Sequence, residues 1–287
     1  MNTSVNQTFN WSRFVATLRK EVVENKRTLL FSVICIYGFL TLMMILGNLI
    51  TSAAGVTIDS LTNKVPQMVT CIILSLVIII SASLSFRNLT TKAGRTSLFT
   101  SPSSSLEKYL VNVLIYVVGI LVAYIVCAQL ADLTRMAILW YFKSDTFAVP
   151  GPINYLNIYN DYCTCLAVLD DTPVKIMQGM GWIMFFGTLA SAGTYMLGSI
   201  VWPRLSFLKT FAAIYALEFV LFVIGIIAFA LIGDVETFSR WFFENMIGGG
   251  QLNTSMIIWV TIQIVVCYGL AWYLFKHKDV ISLKWWK

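Results

Sequence analysis

The sequence predicts an all-α polytopic membrane protein: six transmembrane helices preceded by an N-terminal interfacial amphipathic helix, with both termini cytoplasmic. Three observations carry this. Hydrophobic types make up 58% of the 287 residues and charged types only 12%, against roughly 45–50% and 25% in a soluble domain. The apolar residues form long continuous runs, whereas a transmembrane barrel would show alternating segments of about ten. Lysine and arginine gather at alternate junctions between those runs.

The first element lies in "NWSRFVATLRKEVVENKRTLL". Trp11, Phe14, Val15, Leu18 and Val22 recur at helical spacing, the polar residues cover the remaining face, and Asn10 is placed to cap the start. An interfacial helix over 10–27 is expected, with Trp11 and Phe14 among the acyl chains; packing of this face on the protein itself or on a soluble partner is the alternative. No short apolar region with a small-residue cleavage site precedes the first long run, so cleavage is not expected. A hydrocarbon core about 30 Å thick calls for about 20 apolar residues per helix. Such stretches occur at Leu29–Ile50, Val65–Phe86, Tyr109–Ala131, Val174–Val201, Phe207–Ile232 and Ser255–Phe275. Without internal repeats or low-complexity linkers, residues 1–287 read as one domain.

Orientation follows from the basic residues, since loops rich in them stay inside. With both termini inside, the inner segments hold fifteen of the 20 lysines and arginines, leaving Lys64, Arg135, Lys143, Lys175 and Arg240 outside. The net charge of +6 is thus a topological signal and a contact with anionic lipid, not a nucleic-acid surface.

The inner loop from Arg87 to Lys108 is the most informative segment. Ser104-Ser105-Leu106-Glu107 is an S-x-x-E capping box, in which the serine oxygen and the glutamate each satisfy an orphan backbone N–H, fixing the start of the third span. Before it, "SFRNLTTKAGRTSLF" predicts a short helix from about Leu89, interrupted at Gly94, that carries Arg87, Lys92 and Arg95 toward the cytoplasm. An ordinary basic loop is the plain alternative.

An interfacial helix, a basic inner loop, the junction "SPSSSLEKYL" and six spans with both ends inside resemble the permease subunits of ABC-2 type exporters, especially a bacterial branch whose junction reads roughly Leu-Pro-Ala-Ser-x-x-Glu-Lys. Pro102, Ser104 or Ser105, Glu107 and Lys108 fit that pattern; Ser101 and Ser103 stand where the branch has leucine and alanine. The resemblance implies that Leu89–Thr100 contains a coupling helix contacting a separate ATPase subunit, through Arg87, Leu89, Thr90, Lys92, Arg95, Leu98 and Phe99. It implies a second, smaller contact at Pro203 and Arg204. It also implies alternating-access export in a bacterial inner membrane, a homodimer or a paralogous pair, and ATP and Mg on the partner subunit with no cofactor in this chain. A non-transporting membrane anchor or regulatory subunit remains the competing reading.

The chain carries no G-x-x-x-x-G-K-[ST] phosphate loop and no G-x-S-x-G. Its one histidine, His277, sits in a basic tail, which disfavours a histidine-based zinc site or triad. Glu218 is the acid well inside a span, where a charge is costly. It is expected to face other helices or a water-filled cavity, as a neutral carboxyl bonded to a neighbouring helix or as a relay, substrate contact or gate. Cys35, Cys71, Cys127 and Cys267 read as small apolar residues, while Cys163 and Cys165 belong to a long outer loop from Asp132 to Thr172. A short apolar helix over 238–247 is expected to dip into the membrane or lie along it. Gly187 with Ser191, and Ala190 with Thr194, have the small-x-x-x-small spacing of close helix packing.

Overall fold

The computed structural model describes residues 9–53, 61–141, 180–232 and 254–277, and every regular element among them is helical. Outside the described residues fall Cys163 and Cys165, the expected helix over 238–247 and most of the outer loop. The helices are α1 (Trp11–Ala53), α2 (Leu61–Leu84), α3 (Lys92–Thr100), α4 (Ser105–Val113), α5 (Ile120–Tyr141), α6 (Met180–Val201), α7 (Ser206–Ile232) and α8 (Thr254–Lys276). A π-helical turn, Leu114–Gly119, joins α4 to α5 without a break. Among the described residues five helices, Trp11–Ile50, Ser105–Tyr141, Met184–Val201, Ser206–Gly225 and Ile257–Lys276, are long and apolar enough to cross a membrane. The apolar stretch Met68–Leu84 of α2 is shorter.

Two boundaries differ from those read in the sequence. The amphipathic segment and the first apolar run form a single helix of 43 residues, roughly 65 Å long. Neither glycine nor proline occurs between Asn10 and Tyr37, so nothing local breaks the hydrogen-bond ladder. Its N-terminal face is also divided: Phe14 is buried against Val111 and Ile115, with Leu18 beside it, whereas Trp11, Val15 and Val22 remain exposed. At the other boundary, the outer loop begins about ten residues later than its charges imply. Asp132 and Arg135 lie on α5, both buried, with Arg135 Nη2 2.7 Å from Asp132 Oδ1 and Arg135 Nε donating to the same oxygen at 2.9 Å. One turn apart, the two charges satisfy each other and let the helix continue to Tyr141.

Apolar side chains gain little by leaving lipid tails for one another, so helices in a bilayer associate through close packing and hydrogen bonds. Tyrosine hydroxyls supply several of these bonds: Tyr109 donates to the Tyr268 carbonyl at 2.9 Å, Tyr268 to Leu189 at 3.2 Å and Tyr124 to Thr70 at 2.6 Å. Ser85 and Ser199 share a further bond at 3.1 Å. α2 lies centrally, against α1, α5, α6 and α7, and buries Ile78, Ala82 and, just past its end, Phe86. Phe86 packs on Phe275 with ring centroids 5.0 Å apart. α7 is peripheral; Ser206 and Thr210 are buried near its start, but from Tyr215 through Val223 it is exposed.

α6 obtains its close contacts from glycines other than the one singled out by spacing. A Cβ on Gly198 would collide with the Thr210 side chain, and one on Gly193 would sit 2.8 Å from the Tyr268 ring, while Gly187 has open space. Gly198→Ala is therefore expected to lose about 1–3 kcal/mol through overpacking. Gly187→Ala should be neutral or gain up to about 1 kcal/mol from helix propensity. Thermal unfolding of both variants in one detergent checks the order; equal stabilities would contradict it.

Candidate partner-docking site

The region from Arg87 to Lys108 is two short helical pieces and a junction, held at one end of the bundle. A 3-10 turn, Arg87–Thr90, is followed by α3, whose N-cap is Thr91; the Thr91 hydroxyl accepts the Gly94 N–H at 3.1 Å. The break thus falls at Thr91, and α3 runs through Gly94 where interruption was expected. Gly94 is needed for a different reason: a Cβ there would strike the Asn88 carbonyl. An extended threonine whose hydroxyl accepts an orphan N–H starts a helix better than glycine stops one in the middle.

The expected capping box is present. Glu107 N–H donates to Ser104 Oγ at 3.2 Å, and Ser104 N–H donates to Glu107 Oε2 at 2.8 Å. The other carboxylate oxygen does the same for a second helix, because Asn10, the N-cap of α1, donates its N–H to Glu107 Oε1 at 2.8 Å. Asn10 Oδ1 in turn accepts from Ser12 N–H at 3.0 Å. Arg13 Nη2 lies 3.3 Å from the same Oε1. One fully buried carboxylate thereby serves the N-termini of two helices 97 residues apart in sequence, where the helix dipoles also favour negative charge. Burial by itself would raise the Glu107 pKa; the Asn10 and Ser104 donors and the Arg13 guanidinium outweigh it and lower the value.

Lys108, the next residue, is also buried and donates from Nζ to the Ser101 carbonyl at 3.1 Å, which caps the end of α3. Burial first, and then the neighbouring Lys20 charge, depress its pKa, with Glu107 opposing. Asn88 completes the set by donating to Glu21 Oε1 at 3.1 Å. The polar junction therefore fastens α1, the 3-10 turn, α3 and α4 together.

The residues expected to meet a partner separate into two groups. Arg87 and Lys92 are exposed, and Thr90 and Arg95 are partly so. Leu89 is 4% exposed and sits in the core, and Leu98 packs against that core, so neither leucine presents its side chain outward. The amphipathic spacing of these helical pieces accounts for this: the apolar residues hold the unit down while Arg87 and Lys92 stay exposed. Phe99 lies on α3, its side chain outside the described residues. At the second inner turn Arg204 is exposed and Pro203 partly buried, followed by Leu205 at φ +56°, a left-handed conformation that is strained for a branched side chain. The Ser85–Ser199 bond places this turn at the same end of the bundle as the 3-10 turn.

Glu218 is exposed on α7, and among the described residues it makes no hydrogen bond or ion pair. α7 is seated on the bundle through Ser206, Thr210 and Ile214, and Glu218 lies one turn beyond them. Two features escaped sequence reading. The second role of Glu107 depends on a long-range contact, and the only local signal for the Asp132–Arg135 pair was opposite charge at i,i+3 directly after an apolar run.

The chain matches no protein-family model, no curated protein and no solved structure.

Glu107→Gln keeps the shape but removes the charge that receives two backbone donors and Arg13, and is expected to cost about 1–3 kcal/mol near neutral pH. Because the folded state lowers this pKa from 4.5, the unfolded state binds more protons in acid. The contribution of the carboxylate is therefore complete above about pH 4.5 and is lost as pH falls through the folded value. Melting temperatures measured from neutral pH downward should fall more steeply for wild type than for Glu107→Gln, and parallel curves would refute the assignment.

Proposed function

We propose that the chain is the membrane-spanning permease subunit of an ABC-2 type exporter, worked by a separate ATPase that docks on the 3-10 turn and α3. One observation carries this reading: an exposed basic face, Arg87 and Lys92, stands on a helical unit anchored by Glu107 and Lys108 to the starts of α1 and α4. Such a unit passes a push on α3 directly to α1 and to the long α4–α5 rod. A merely topogenic loop needs positive charge but no such anchoring. Pro203 and Arg204, at the same end, form the smaller second contact.

In this reading α2 is the sixth span, since its 24 residues reach about 36 Å, enough for the hydrocarbon core. Both termini then lie inside with the basic junctions, in a bacterial inner membrane. ATP and Mg bind the partner subunit, and ATP-driven closure of the ATPase pair switches the helices between inward-open and outward-open states. The exposed Glu218 supports pairing with a second copy or a paralogue along α7, because a carboxyl facing hydrocarbon costs a few kcal/mol or more.

Lys92 and Thr96 lie one turn apart on the exposed face of α3, and changing both to glutamate reverses its character. Tagged chain purified from its native membrane should bring ATP hydrolysis with it. The Lys92→Glu, Thr96→Glu pair should reduce that by roughly tenfold, the equivalent of about 1.4 kcal/mol. If wild type brings no ATPase, the anchor reading takes its place; if the double variant brings as much as wild type, α3 is not the docking face.

A further inference from the structure

A groove of about 600 Å³ opens between α1, α2 and the π-helical turn, within the roughly 300–1,000 Å³ of small-molecule sites. Its walls change in character along their length. At the end next to the 3-10 turn it is lined by Asn25, Arg87, Asn88 and Thr91. Toward the middle of the helices the lining becomes Ile36, Val77 and Ile120. The antiparallel segments Asn25–Ile36 and Val77–Arg87 each span about 16 Å at 1.5 Å per residue, close to half the hydrocarbon thickness of about 30 Å. A slot that is polar at one end, apolar at the other and one leaflet deep matches a single acyl chain with its headgroup.

The polar end also specifies charge. Arg87 is the cation lining the groove, and among the described residues it forms no ion pair. Glu21 lies outside the lining and engages the amides of Asn25 and Asn88. At the π turn, the Ser81 hydroxyl donates to the Tyr116 carbonyl at 2.6 Å, so this polar group in the wall is already satisfied within the protein. π turns recur at functional sites.

From these features we infer that the groove binds a phospholipid with an anionic headgroup from the leaflet on the basic side, its phosphate at Arg87 and one acyl chain lying between α1 and α2. Lipid binding here needs no ATPase, since both chemistries it uses, a guanidinium and an apolar slot, belong to this chain, although Arg87 also stands on the face proposed for ATPase docking. It adds a specific contact to the general attraction of basic loops for anionic membrane surfaces.

Cys35 supplies the test, because it lines the groove and is exposed, whereas Cys71, Cys127 and Cys267 are buried. In a Cys163→Ser, Cys165→Ser background, labelling of Cys35 by a membrane-permeant maleimide is followed in neutral detergent micelles doped with phosphatidylglycerol, phosphatidylcholine or inorganic phosphate. Phosphatidylglycerol should protect Cys35, phosphatidylcholine should need a much higher mole fraction, and phosphate alone should do nothing. Arg87→Ala should raise the phosphatidylglycerol needed for half protection about tenfold, the scale of one lost charge-assisted contact, and Arg87→Lys should recover most of it. Equal protection by the two lipids, indifference to Arg87→Ala, or protection by phosphate alone would overturn the proposal. So would a Cys35 that is unreactive in lipid-free micelles, because the groove would then be closed.

Discussion

A buried carboxylate needs as many donors as it has lone pairs worth satisfying, and at Glu107 those donors come from two helix starts. The backbone N–H groups of Ser104 and Asn10 each lie 2.8 Å from one of its oxygens. No smaller or neutral side chain could hold both, so the start of α1 is located by the start of α4. The rest of this end of the bundle follows from that placement: Phe14 reaches Val111 and Ile115, Glu21 reaches Asn88, and α3 is caught between Thr91 at its front and Lys108 at its back.

Along the rest of the bundle the adhesion is of another kind. Tyrosine hydroxyls reach backbone carbonyls on neighbouring helices, as Tyr124 does at Thr70, and glycines let helices close to contact distance, as Gly198 does at Thr210. In lipid these specific contacts do much of the work that burial does in water. They also leave α7 loosely held, touching the bundle near Ser206 and Thr210 and exposed beyond.

How much of this could be read from the sequence depended on the range of each interaction. The capping box at Ser104 and Glu107 was legible because it is complete within four residues, as was the Asn10 cap. The apolar runs marked the helices because lipid imposes their length. The fusion of the amphipathic segment with the first span was signalled only by missing breakers. Gly94 was misread because glycine serves helix breaks and close approach alike, and only the position of the Asn88 carbonyl tells them apart. Asp132 and Arg135 were assigned to a loop because each charge alone would stop an apolar run; paired at 2.7 Å, they do not. Leu89 and Leu98 could not be sorted from Arg87 and Lys92 before the 3-10 turn set their facing.

A single carboxylate couples the N-terminus of α1 to the α3–α4 junction. Spin labels at Val15 and Leu106, both exposed on the two helices concerned, report it through their distance distribution in reconstituted membranes. The account predicts one narrow distribution in the otherwise wild-type chain and a distinctly broader one in Glu107→Ala, with α4 and α5 still helical. An unchanged narrow distribution in Glu107→Ala would show that apolar packing around Phe14 alone fixes α1, and would contradict the account at its root.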